Sequence, residues 1–272
     1  MTKTEPPFIA MQGITKRFGG VVALRGVDLE VGHGEVLGLV GDNAAGKSTL
    51  MKILSGAYQP DHGTIAIDGR DVTFAGPEAA RAIGLEMVYQ DFALVPELSV
   101  TQNIFLGREL TRRRLGIRTL DQRRMAKRAR ELFERLGIRI PPVTTPVRAL
   151  SGGQQQAVAI ARATGFDCRL VIMDEPTANL GASAIDKVRE TITRLKASGI
   201  TVILISHRLE DVFTVGDRFI VMKHGRVVAE RAVADTDADE IVAMIVAGID
   251  PRNRDPVNRP AADQPASPQP GP

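Results

Sequence analysis

Two glycines, a lysine and two hydroxyls stand at fixed spacing in GDNAAGKSTL, residues 41–50. Gly41-x4-Gly46-Lys47-Ser48 is the spacing of a phosphate loop. It has the required context, following the apolar run EVLGLV (35–40) and opening a helical stretch. The backbone of Gly41, Asp42, Asn43, Ala44, Ala45 and Gly46, with the helix start at Lys47, Ser48 and Thr49, would cradle phosphate oxygens on N–H groups and the positive helix end. Lys47 would reach the β- and γ-phosphates, and the Ser48 hydroxyl would ligate Mg²⁺.

Such a loop needs a carboxylate site to hold the metal and direct water. RLVIMDEPT provides an apolar strand ending in Asp174 and Glu175, which would lie beside the loop at the C-terminal edge of an open α/β sheet. Asp174 would hold Mg²⁺ through its water shell, and Glu175 would polarise the attacking water as a general base. In LSGGQQQAVAIARA (150–163) a second helix start is built for anions: Ser151 can cap, and the bare Gly152 and Gly153 let a phosphate approach. One chain does not need two such starts for one nucleotide. Two chains facing head to tail do.

The elements that must position these residues are legible as an α/β core. EVLGLV, LVIMD and TVILIS are continuous β-branched apolar runs, as strands covered on both faces require, with helical stretches between them. IAMQGITKRF and VVALRGVDLEV alternate and predict antiparallel strands near the start. A mostly helical insert is expected over about 99–165, and from 251 to 272 a proline-rich stretch with almost no large apolar residue is expected to stay disordered. At 272 residues, 43% hydrophobic and 25% charged, the chain has the make-up of a soluble globule, one domain over 1–250 with a subdomain. A net charge of +3 gives no argument for nucleic acid, and no apolar run approaches the ~18 residues of a membrane span. The single cysteine, Cys168, reads as a small buried hydrophobe in a reducing compartment, and the first ten residues lack the build of a signal peptide. A cytoplasmic location is therefore expected.

Motif by motif, residues 8–248 resemble the ATP-binding subunit of ABC transporters. GDNAAGKST resembles the Walker A loop, LVIMDE the Walker B strand, and LSGGQ (Ser151, Gly152, Gly153, Gln154) the signature that contacts the partner's ATP. The resemblance gives Gln90 in VYQD the role of the lid glutamine that senses Mg²⁺ and the permease. It gives His207 in LISHR the role of the switch histidine at the γ-phosphate, and places Phe18 in TKRFGG at the position that stacks on adenine. His33, His62 and His224 precede glycines in turns and receive no role. Two positions depart from the pattern: Ala44, where the family usually has glycine, and Gly181 in PTANLG, where an aspartate often follows the leucine.

GITKRFGGVVALRGVDLEV, ILSGAYQPDHGTIAIDG and ALVPELSVTQNIFLGRE resemble the branch that energises uptake of ribose, xylose and fructose. That resemblance implies an ATPase using ATP and Mg²⁺, dimerising through an ATP sandwich on the cytoplasmic face of the plasma (inner) membrane. Its partners would be permease subunits and, indirectly, a secreted or periplasmic sugar-binding protein, with no nucleic acid. The alternative is an ABC ATPase for another substrate, or one acting on DNA or the ribosome. Residues 108–130 hold ten basic and two acidic residues that could grip phosphates, but the sustained heptads or paired cysteines of the DNA enzymes are absent from the sequence. A GTPase or small-molecule kinase would leave the signature helix unexplained.

Overall fold

Two glycines, at 19 and 20, turn the chain between β1 (Ile9–Phe18) and β2 (Val21–Val31), which pair antiparallel. The computed structural model describes residues 6–114 and 117–252. Next comes β3 (Val36–Gly41), buried along its first five residues, and then α1 (Lys47–Leu54). β4 (His62–Ile67) and β5 (Arg70–Val72) complete an antiparallel sheet of order β2-β1-β4-β5. The chain returns to the interior through α2 (Pro77–Ala82) and β6 (Leu85–Val88).

The stretch expected to be helical contains α3 (Val100–Phe105), α4 (Gln122–Leu136) and α5 (Gly152–Thr164). It also contains a two-stranded hairpin of β7 (Thr111–Arg114) and β8 (Ile117–Leu120) that the sequence reading did not anticipate. Arginine-rich strands lack the apolar alternation that marks a half-buried strand, so nothing in the pattern announced them. Then follow β9 (Leu170–Asp174), α6 (Ala182–Ala197), β10 (Thr201–Ile205), α7 (Leu209–Val215), β11 (Arg218–Lys223), β12 (Arg226–Ala232) and α8 (Ala238–Ala247).

The central sheet has order β12-β11-β3-β10-β9-β6, parallel except for β12. Its strands alternate between two cores. Val36, Val40, Val171, Met173, Val202 and Leu204 face the helices α3 to α7, while Leu37, Leu39, Leu170, Ile172, Ile203 and Ile205 face α1 and the antiparallel sheet. Burial on both faces is why these strands read as unbroken apolar runs.

Among the described residues no helix is long and apolar enough to cross a membrane. The proline-rich tail lies outside the described residues from 253 onward. Pro251 and Arg252 form a turn, with the Arg252 guanidinium 2.8 Å from Glu240. Cys168 donates to the Leu170 carbonyl at 3.4 Å, and burial pushes its thiol up to about 12, which makes it inert.

Candidate functional site

Parallel pairing brings the candidate residues to one edge. Leu39, Ile205 and Asp174 share a row across β3, β10 and β9, and Val88 of β6 lies beside Met173. One or two residues past that row the chain leaves the sheet four times: into residues 41–49, to Glu175, to His207 and to Gln90. A sheet of mixed direction would have scattered them over both edges.

The loop ends on an unfinished helix. Gly46, the N-cap of α1, has φ +102° and offers no side-chain cap. The N–H groups of Gly46, Lys47, Ser48 and Thr49 find no acceptor among the described residues. These are the orphan donors of a helix start, and an anion fits them. Gly46 is required on two counts: its φ, and the Ala23 carbonyl that would stand 2.8 Å from an added Cβ. The Lys47 ammonium is folded onto the carbonyls of Gly41 (2.7 Å) and Asp42 (2.8 Å). Its pKa is lowered by burial, a shift opposed by Glu175, Asp174 and Asp42.

Ala44 is exposed and has φ +67°, the left-handed conformation that glycine adopts without strain. The conformational cost for a non-glycine residue there is ~1–2 kcal/mol. Ala44→Gly is expected to raise unfolding stability by about that amount and to tighten ATP binding by no more than about thirtyfold. Denaturant melts and calorimetric titration of both proteins check this. A natural chain that binds nothing beside an Ala44→Gly protein that binds well would identify a disabled loop.

Asp174 closes β9, and its carboxyl is held above the usual range by burial and then by the neighbouring Glu175. Glu175 has φ +50°, fixed by its N–H on the Ile205 carbonyl at 2.9 Å. Its Oε1 lies 2.8 Å from Nδ1 of His207, which is largely exposed. Gln90 is exposed beyond β6, and the next turn is strained, with positive φ at Phe92 and Ala93. Arg162 of α5 holds both carbonyls of that turn, at 3.2 and 2.6 Å. Phe18 is 43% exposed, meets Tyr58 edge-on at 5.3 Å and has the Lys16 ammonium over its ring at 5.6 Å.

One residue the sequence reading missed is Asp211 of α7. Only 1% exposed, it accepts from Thr177 (2.5 Å), from Arg189 of α6 (2.9 and 2.6 Å) and, at 3.5 Å, from Ser206. Thr177 lies two residues after Glu175, and Ser206 just before His207. A single buried carboxylate thus clamps the segments that carry the Glu175–His207 pair.

The signature residues open a different helix from the loop. Ser151 caps α5 in a capping box, its Oγ accepting from the Gln154 N–H (3.4 Å) and its own N–H donating to the Gln154 side chain (3.0 Å). The N–H groups of Gly152 and Gly153 find no acceptor among the described residues. Gly153 also has a packing role the sequence reading did not give it: an added Cβ would lie 2.8 Å from Cβ of Ala184 on α6.

The family model described as ABC transporter matches residues 24–178. The chain belongs to the ABC transporter family. The ABC transporter match takes in the loop, Gln90, the signature and both acids; Phe18 precedes it and His207 follows it. The chain is similar to the ribose import ATP-binding protein RbsA 1 of Rubrobacter xylanophilus, 49% identical over 88% of the chain and 47% of that protein. It is 41% identical to the xylose/arabinose import ATP-binding protein XylG of Sulfolobus acidocaldarius, over 88% of the chain and 94% of that protein. The chain thus spans about half the length of the ribose-import relatives it matches, and nearly all of the xylose/arabinose one.

Among solved structures, a nucleotide-free ATP-binding cassette from an ABC transporter superposes with a TM-score of 0.73 at 26% identity, covering 90% of this chain and 96% of the other. A dimeric cassette in a post-hydrolysis state with ADP and Pi gives 0.70 at 27%, covering 83% and 98%. The second departure of this ABC transporter chain from its family pattern, Gly181, is the N-cap of α6, without a side-chain cap and with open space around it. The backbone turn stands there without the aspartate.

Proposed function

We propose that the chain binds ATP with Mg²⁺ and hydrolyses it as a head-to-tail homodimer that drives a membrane permease for a monosaccharide. The observation that carries the reading is the convergence, on one sheet edge, of the uncapped α1 start, Lys47, Asp174 and the Glu175–His207 pair. Ser48 in the first turn of α1 and Asp174 at the end of β9 would hold a Mg²⁺ ion that takes its remaining ligands from phosphate and water. When bound, the ion neutralises charge on the phosphates.

Lys47 would exchange the loop carbonyls for phosphate oxygens, and the free N–H groups of residues 46–49 would bind the same charge. Glu175, oriented by His207, takes a proton from water as its oxygen bonds to the γ-phosphorus and the bond to ADP breaks, giving ADP and phosphate. His207 keeps its other face for the γ-phosphate, and Phe18 stacks on adenine. The open α5 start at Ser151, Gly152, Gly153 and Gln154 serves the partner's nucleotide.

A cavity of about 300 Å³ lined by Tyr89, Leu106, Arg81, Arg108 and Arg162 offers a seat for the permease, and Gln90, next in sequence to Tyr89, would report to Mg²⁺. The names of the relatives support a monosaccharide as the imported substrate. We propose its delivery by a secreted or periplasmic binding protein, with this chain on the cytoplasmic face of the membrane. The test is phosphate release by the complex co-purified with its membrane partner in vesicles. Stimulation by a monosaccharide with its binding protein is expected. Stimulation by duplex DNA or ribosomes, with no response to sugars, would overturn the reading.

A further inference from the structure

The hairpin β7–β8 is the part of the chain that the nucleotide site does not use. All four residues of β8 are exposed, as are Thr111, Arg112 and Arg113 of β7, and no third strand joins the pair among the described residues. Its register sets Arg113 directly opposite Arg118. Like charges at opposed positions destabilise a strand pair, and a two-stranded hairpin is marginal in water to begin with. The Arg118 guanidinium donates to Thr111 Oγ1 at 3.2 Å, and no carboxylate among the described residues offsets the repulsion. Of the carboxylates flanking the hairpin, Glu109 accepts from the Gly107 N–H and Asp121 from the Arg124 N–H at the start of α4. Arg112, Arg113 and Arg118 make no ion pair with any described residue. On the same hairpin Ile117 is 67% exposed and Leu120 46%.

We infer that this hairpin is a membrane anchor that binds the anionic headgroups of a lipid bilayer. The register puts Arg113, Arg118 and Leu120 on one face of the hairpin and Arg112 and Ile117 on the other. With the first face down, the guanidinium groups pair with lipid phosphates while Leu120 enters the acyl boundary. Phosphates between Arg113 and Arg118 turn their repulsion into a shared site. Nucleic acid, the other polyanion, fits less well. Between Leu106 and Leu132 there is no aromatic residue to stack on a base, and the exposed Leu120 would face a polar backbone. The contact needs neither permease nor nucleotide, so its test is separate from that of ATP hydrolysis.

The full chain is mixed with vesicles of phosphatidylcholine alone, or with about a third phosphatidylglycerol, and the bound fraction is measured by flotation. Binding is expected only to the anionic vesicles, and is expected to be lost as salt rises from about 0.05 to about 0.5 M. Arg112→Ala/Arg113→Ala/Arg118→Ala should lower the partition coefficient by roughly a hundredfold. Replacing the same three arginines with lysine should restore most of it. Leu120→Ser should weaken binding while keeping its salt dependence. Unchanged ATP binding by every variant shows that each is folded. Binding that ignores phosphatidylglycerol, or survives the triple alanine variant, overturns the inference. So does capture of a duplex oligonucleotide in the same buffer without capture of vesicles.

Discussion

Replacing Glu175 with glutamine is expected to lower phosphate release by roughly 10²–10⁴-fold while leaving ATP binding intact. Glutamine keeps an oxygen that can accept from His207, whose Nδ1 lies 2.8 Å from Oε1, so the pair can hold its geometry. The strained φ of +50° at this position and the bond from its N–H to Ile205 belong to the backbone and are carried over as well. What glutamine cannot do is take a proton from water. The measured signature is therefore split: calorimetry with ATP unchanged, turnover lost, and a dimer that persists by light scattering with Mg²⁺ and ATP. Full activity in Glu175→Gln would remove this carboxylate from the mechanism.

Two proteins that are each inactive should recover activity when mixed. Ser151→Arg blocks the open start of α5, and Lys47→Ala removes the ammonium that faces the phosphates. Each alone should lose about 10²–10³-fold in rate, because every site of its homodimer carries a lesion. In the mixed dimer both lesions fall on one site, leaving the other with a sound loop and a sound signature. If sites turn over independently, an equal mixture should reach about a quarter of the native rate, since half the dimers are mixed and each has one working site. Ser151→Arg must bind ATP as a single chain. Loss of that binding, or no recovery on mixing, would contradict a site shared between chains.

The parts of this design that are legible in the sequence are those in which residue type and structural need coincide locally. Gly46 must be glycine for its φ and for the Ala23 carbonyl beside it, and Lys47 and Ser48 follow at once. Asp174 and Glu175 end a run of buried strand residues, which also fixes which sheet edge they occupy. The illegible parts depend on distant partners or on backbone angles. Asp211 looks like one more helix-surface acid until Thr177 and Arg189, 34 and 22 residues away, are seen to enclose it. The φ of +67° at Ala44 shows that the chain keeps the glycine conformation after giving up the glycine. Gly153 reads as room for a phosphate, and only the approach of Ala184 discloses its second duty.

The Asp211 cluster also bears on how this part of the chain can change over generations. Arg189, Thr177 and Ser206 all converge on one carboxylate that is only 1% exposed. Loss of Asp211 leaves the guanidinium only the more distant Asp186 (3.7 Å) and Glu210 (3.9 Å). Loss of Arg189 leaves the buried carboxylate only Arg208 at 3.9 Å as a charged partner. Either step costs about 3–5 kcal/mol, a large share of a domain's stability. Exchanging the whole group for apolar residues of matching volume costs far less, yet single substitutions reach that endpoint only through the costly intermediates. The cluster is therefore an evolutionary ratchet. Related chains are expected to keep it whole or to lack it whole, with few sequences caught between.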